Sequence, residues 1–147
     1  METVDRAQLA AQYHQQGYNC AQAVACVFAD VIGLPVEQVA ALTGTFGGGF
    51  RAGEICGAVS GAGLVLGARW PHTEIRDMKA KSLVSKKMME FERRFLERFP
   101  GLRCRDIRDL PLCLEASPAA QRLELKKSCN VYIVSAVEIL EEMLAET

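Results

Sequence analysis

Six cysteines are the residues of this 147-residue chain best equipped for chemistry, and their surroundings sort them. Cys56 lies in the run Gly53-Glu-Ile-Cys56-Gly57-Ala-Val-Ser-Gly61-Ala-Gly63, inside the segment Gly44 to Gly67 that holds nine of the twelve glycines. A helix beginning near Gly53 puts Cys56 in its first turn, where free N–H groups and the helix dipole favour a thiolate. Ser60, one turn on, is within hydrogen-bonding range of that sulfur. Cys20 follows Asn19, a natural helix cap, so the same argument applies to it. Cys104 sits in Leu-Arg-Cys-Arg-Asp, where Arg103 and Arg105 would favour an anionic sulfur. Cys129 falls inside the last helix. Cys26 and Cys113 read as core or incidental cysteines. No pair has CxxC spacing, so neither a zinc ribbon nor a thioredoxin-like motif is expected.

The elements that must carry these thiols read as helices almost throughout, with no alternating or β-branched run that argues for a strand. Thr3 or Asp5 caps a first helix that ends at Gly17. Asn19 caps a second, running through Val31 to Gly33, and Pro35 starts a short third. A Gly-rich loop spans Gly44 to Gly49, and Gly53 to Arg69 is the next helix. Its Gly53, Gly57 and Gly61 recur every four residues on one face, where a neighbour can approach at backbone distance. Thr73 caps a long helix to Phe99, with Val84, Met88, Phe91, Phe95 and Phe99 as a core stripe and, secondarily, a homodimer face. Ser117-Pro118 opens the last helix, whose buried face carries Leu125, Cys129, Tyr132, Ile133, Ala136, Leu140 and Met143. The expected fold is all-α, a single domain over 1–147 made of five to six bundled helices.

Composition excludes several classes of function. The net charge is −1 and the pI near 6.1, which gives no electrostatic reason for a nucleic-acid partner. Eleven Lys/Arg face five Asp/Glu between Arg76 and Arg108, but they alternate at helical spacings and read as a solvated surface. The uncharged stretch Ile55 to Ala68 would span about 21 Å as a helix, short of the roughly 30 Å bilayer core, so no membrane insertion is expected. The first residues lack a signal-peptide pattern, and a cytoplasmic protein is expected. His14 and His72 read as surface residues, neither ligand nor base. Gly47-Gly48-Gly49 lacks the Lys of a P-loop and remains a weak candidate for cofactor phosphate at its backbone N–H groups.

Taken together, Asn19-Cys20-Ala21-Gln22-Ala23-Val24, the Gly-rich loop, Cys56-Gly57-Ala58-Val59-Ser60-Gly61, Leu102-Arg103-Cys104-Arg105 and Cys129 resemble the redox-active family named for its C_GCAxxG_C_C pattern. The resemblance implies that Cys20, Cys56, Cys104 and Cys129 are the working set, with Cys26 and Cys113 as extras. It also implies small proteins encoded near transporters or oxidoreductases, some with twin-arginine export signals that this chain lacks. Four such thiolates would hold an iron–sulfur cluster or a zinc ion. Alternatively, two pairs would cycle between dithiol and disulfide with a redox partner protein. The competing class is a non-enzymatic helical adaptor or metal-binding protein whose cysteines are structural.

Overall fold

The computed structural model describes residues 5–146, and these fold into helices and turns. The described residues contain no strand, only one antiparallel bridge between Ile55 and Arg103. The helices are α1 (Arg6–Gln15), α2 (Cys20–Cys26), α3 (Ala29–Ile32), α4 (Val36–Leu42), α5 (Gly57–Arg69), α6 (Met78–Arg98), α7 (Cys104–Ile107), α8 (Pro118–Arg122) and α9 (Ser128–Ala145). A π-type turn covers Gly49–Gly53 and a 3-10 turn Leu114–Ala116. No described helix is long and apolar enough to cross a membrane. The all-α expectation holds, but the segments outnumber the five to six predicted, because several expected helices are divided or shortened.

α9 forms the centre. Val131, Tyr132, Ile133, Val134, Ala136, Val137, Ile139, Leu140 and Met143 are all buried, and the stretch 131–137 is enclosed on every side. α1, α2, α5, α6 and α8 surround it. α1 offers it a face of Ala7, Ala10 and Ala11, small enough for close approach. α6 contributes the expected stripe: Phe91, Phe95 and Phe99 are buried, with the Phe99 ring edge-on to Tyr132 at 4.7 Å.

Several caps stand where the sequence puts them. Asp5 accepts from the Gln8 N–H at 3.1 Å, while Thr3 lies outside the described residues. Ser117 accepts from Ala120 N–H with Pro118 in the first turn. Asn19 forms a full capping box, accepting from Gln22 N–H at 2.8 Å while the Gln22 side chain accepts from Asn19 N–H at 2.9 Å. Its Nδ2 also donates to the carbonyls of Thr43 and Gly44. One residue therefore fixes both the start of α2 and the approach of the Gly-rich loop. Asn19→Ala is expected to lower stability by about 1–2 kcal/mol. The check is an earlier urea midpoint with an unchanged denaturant slope.

Four boundaries differ from expectation. The second helix is divided, since Phe28 leaves helical geometry (φ −113°, ψ 23°) and both Val27 and Phe28 become buried. α5 starts at Gly57, because Gly53 is left-handed (φ 69°) and Ile55 is held in the bridge. α6 starts at Met78 under an Asp77 cap instead of at Thr73. The last helix is broken between Arg122 and Ser128, where Glu124 takes a left-handed φ of 52° and turns Leu125 into the core.

Candidate functional site

The glycines of the Cys56 motif act through space. An added Cβ at Gly61 would lie 2.7 Å from the carbonyl oxygen of Ala21, and one at Gly57 would lie 2.9 Å from the Ala21 nitrogen and 3.0 Å from Cys20 Cβ. Without side chains at these two positions, α5 reaches the backbone of α2 at the turn that bears Cys20, and no other pair of helices has so extensive a contact. Gly53, expected on the same face, lies outside the helix. Its left-handed turn faces Arg105 instead.

Cys104 is brought in by the bridge. Cys56 N–H donates to Leu102 carbonyl at 2.7 Å, and Cys104 N–H to Glu54 carbonyl at 2.6 Å, so residues 54–56 and 102–104 run side by side. Cys56 and Cys104 lie diagonally on the face opposite Ile55 and Arg103. Cys129 arrives from the other direction. The break at Glu124 moves it from the expected helix interior to the second residue of the 18-residue α9, a helix N-terminus.

The four thiols form one electrostatic group. Cys20 and Cys129 are close enough to shift each other's ionisation, and the charges of Cys56, Cys129 and Cys104 all act on Cys20. All are free thiols: Cys56 is buried, the other three half-buried. The hydrogen bond from Cys20 lowers the Cys129 thiol to about 7, against the opposing effect of burial, with Lys127 and Arg108 adding to it. The Cys20 thiol rises, first because it donates that bond and then because it is buried among sulfurs.

This reverses the expectation for Cys56 and Cys20. Cys56 is the cap residue before α5, and the Ala58 and Val59 N–H groups do favour its anion, yet burial outweighs them and pushes its thiol up to about 12. Dipole arguments read from sequence omit the desolvation of a site that packing closes. Arg103 and Arg105 likewise turn to Glu54: Arg103 lies 3.4 Å from its carboxylate, and Arg105 binds the other oxygen and the carbonyls of Ala52 and Gly53. Ser60 donates to Gly57 carbonyl at 3.3 Å.

A further residue belongs to the group. His14, expected at the surface, is half-buried, with Nε2 3.9 Å from Cys20 Sγ and Nδ1 2.6 Å from Asn130 Oδ1. The local signal was its place in the last turn of α1, just before the Gly17 turn that leads into Asn19 and Cys20. Asn130, buried and next to Cys129, left no such signal.

The remaining candidates fall elsewhere. Cys26 belongs to a small cluster with Val39 and Ala40, and burial pushes its thiol up to about 11. Cys113 is exposed. At Gly47 a Cβ would lie 2.6 Å from Asn19 Cβ, and at Gly49, φ 62°, one would lie 2.4 Å from Glu54 carbonyl oxygen. Close approach at those two is thus made to the chain itself, while Gly48 is exposed.

The thiol set was also tested against the metal centre that the resemblance implies. Among the described residues no three His, Cys, Asp or Glu side chains are placed to hold a metal ion. As arranged, the four sulfurs do not fit a metal.

Comparison with curated proteins finds no match, and comparison with solved structures finds none either. Residues 18–143, from the turn before Asn19 to the last buried side chain of α9, match the family model described as "Putative redox-active protein (C_GCAxxG_C_C)", and the chain belongs to that family.

Proposed function

We propose that the protein is a thiol–disulfide exchange protein whose working pair is Cys129 and Cys20. The mutual influence of these two thiols carries the reading, because each shifts the other's ionisation in the opposite direction, Cys129 down and Cys20 up. The Cys129 thiolate attacks one sulfur of a substrate disulfide, forming a mixed disulfide and releasing the other sulfur as a thiolate. Cys20 then gives up its proton and attacks Cys129 Sγ, closing the Cys20–Cys129 bond and releasing the second thiolate. Two electrons pass from the protein dithiol to the substrate. A thiol reductant run through the same steps in reverse restores the dithiol.

Cys56 and Cys104 stand beside this pair as a second dithiol, less reactive at Cys56 because its charge is suppressed by burial. The alternative in which all the cysteines are structural predicts thiols that are inert to mild oxidant.

Alkylation separates the readings. The thiolate is the nucleophile, so the alkylation rate of Cys129 rises as pH increases through about 7 and levels off above it. An ordinary thiol would rise through about 8.5. Mild oxidation followed by peptide mapping is expected to yield the Cys20–Cys129 disulfide. An alkylation midpoint at or above the ordinary value, together with no intramolecular disulfide, would sink the proposal.

A further inference from the structure

We propose that His14, oriented by Asn130, is the catalytic proton acceptor for Cys20, an inference that rests on the dithiol reading above. Three helices supply the parts: His14 from α1, Cys20 from α2 and Asn130 from α9. Asn130 is 4% exposed, and its Oδ1 lies 2.6 Å from His14 Nδ1. A carbonyl oxygen only accepts, so in the neutral ring the hydrogen sits on Nδ1 and the lone pair on Nε2. That lone pair faces Cys20 Sγ at 3.9 Å. Because Asn130 follows Cys129 directly, the first turn of α9 carries both the attacking sulfur and the group that orients the base.

The reaction itself creates the need. In the resting dithiol the Cys129 thiolate is the acceptor that favours the proton staying on Cys20. Once Cys129 is bonded to a substrate sulfur it is no longer an anion, and that acceptor is gone. Cys20 must still lose its proton to attack, and His14 Nε2 is in reach of it. The proton moves from Cys20 Sγ to Nε2 as the Cys20–Cys129 S–S bond forms, and the bond from Cys129 to the substrate sulfur breaks with its electron pair leaving on that sulfur. A cavity of about 450 Å³ lined by His14, Asn130, Glu124, Lys126 and Lys127 then gives the imidazolium an outlet to solvent. The charged or titratable groups facing His14 are thus Cys20 on α2, and Glu124, Lys126 and Lys127 on the turn between α8 and α9.

The resolving step can be followed alone. Protein with Cys113→Ser is loaded with 5-thio-2-nitrobenzoate on Cys129, and release of that group is timed while mass spectrometry reports the Cys20–Cys129 disulfide. His14→Ala is expected to slow release by about 100-fold, the lower end of general-base contributions. Added imidazole, which the enlarged cavity can admit, is expected to restore part of the rate. His14→Gln, of similar size but without a base, is expected to be slow and unresponsive to imidazole. An unchanged rate in both variants overturns the proposal, as does slow release in His14→Ala that imidazole does not raise. Cys20→Ala separates the two levels of the argument: if it releases the group as fast as its parent, the dithiol reading itself fails.

Discussion

In protein carrying Cys113→Ser, Cys129→Ser is expected to lower the second-order rate of mixed-disulfide formation with an aromatic disulfide at neutral pH by at least about 100-fold, since a serine hydroxyl is not ionised there. Cys20→Ala is expected to fail differently. The mixed disulfide at Cys129 still forms but is not resolved, and the midpoint for ionising Cys129 moves up from about 7 towards the ordinary 8.5. The direction follows from the causes: the bond donated by Cys20 is the largest influence lowering Cys129, and burial, which remains, raises it. Stopped-flow thiol kinetics across pH on the two variants test both statements. If Cys20→Ala left the Cys129 midpoint unchanged, the hydrogen bond would not be what holds the thiolate.

The second large effect concerns stability and has a built-in control. Gly61→Ala sets two terms against each other. Alanine in a helix interior gains about 1 kcal/mol over glycine. The new Cβ, however, meets Ala21 carbonyl oxygen at 2.7 Å and Ala21 Cα at 2.9 Å, and backbone cannot rotate aside as a side chain would. Overpacking of this kind costs about 1–3 kcal/mol, and a clash with rigid backbone belongs at the upper end. The expected net loss is about 2 kcal/mol, with the melting temperature lower by about 6 °C. Gly67 lies in the same helix with nothing within 4 Å of its Cβ position, so Gly67→Ala is expected to stabilise by a fraction of a kcal/mol up to about 1. Equal shifts of the same sign in the two variants would remove the case for α2–α5 contact at Gly61. Because Cys20 is on the contacted turn, Gly61→Ala is also expected to slow closure of the Cys20–Cys129 disulfide.

These expectations show how far the sequence reaches. Asn19 with Gln22, Ser117 with Pro118, and Asp5 announce helix starts because a cap is a local device, written within three or four residues. Gly57 and Gly61, four apart on one helix, announce close approach by a neighbour. Cys20 and Cys56 stand out by their helix-cap and glycine contexts and Cys104 by its flanking arginines, whereas Cys129 is marked only by the family resemblance. The break before α9 has no such announcement: no glycine or proline interrupts Arg122 to Ser128, and Glu124 adopts its left-handed φ to return Leu125 to the core. That one turn decides where Cys129 sits relative to a helix end.

The sequence alone therefore determined the all-α class and most caps, since periodicity, capping and glycine spacing are properties of neighbours along the chain, while the set of four thiols came from the family resemblance. Which thiol ionises was decided only by tertiary structure. Both Cys20 and Cys56 lie at helix starts, and both are held protonated, Cys56 by burial and Cys20 first by the bond it donates. The Cys129 thiol is instead lowered, chiefly by its interaction with Cys20, a residue more than a hundred positions away. Desolvation and through-space hydrogen bonds set a thiol's charge, and neither exists until the helices have packed.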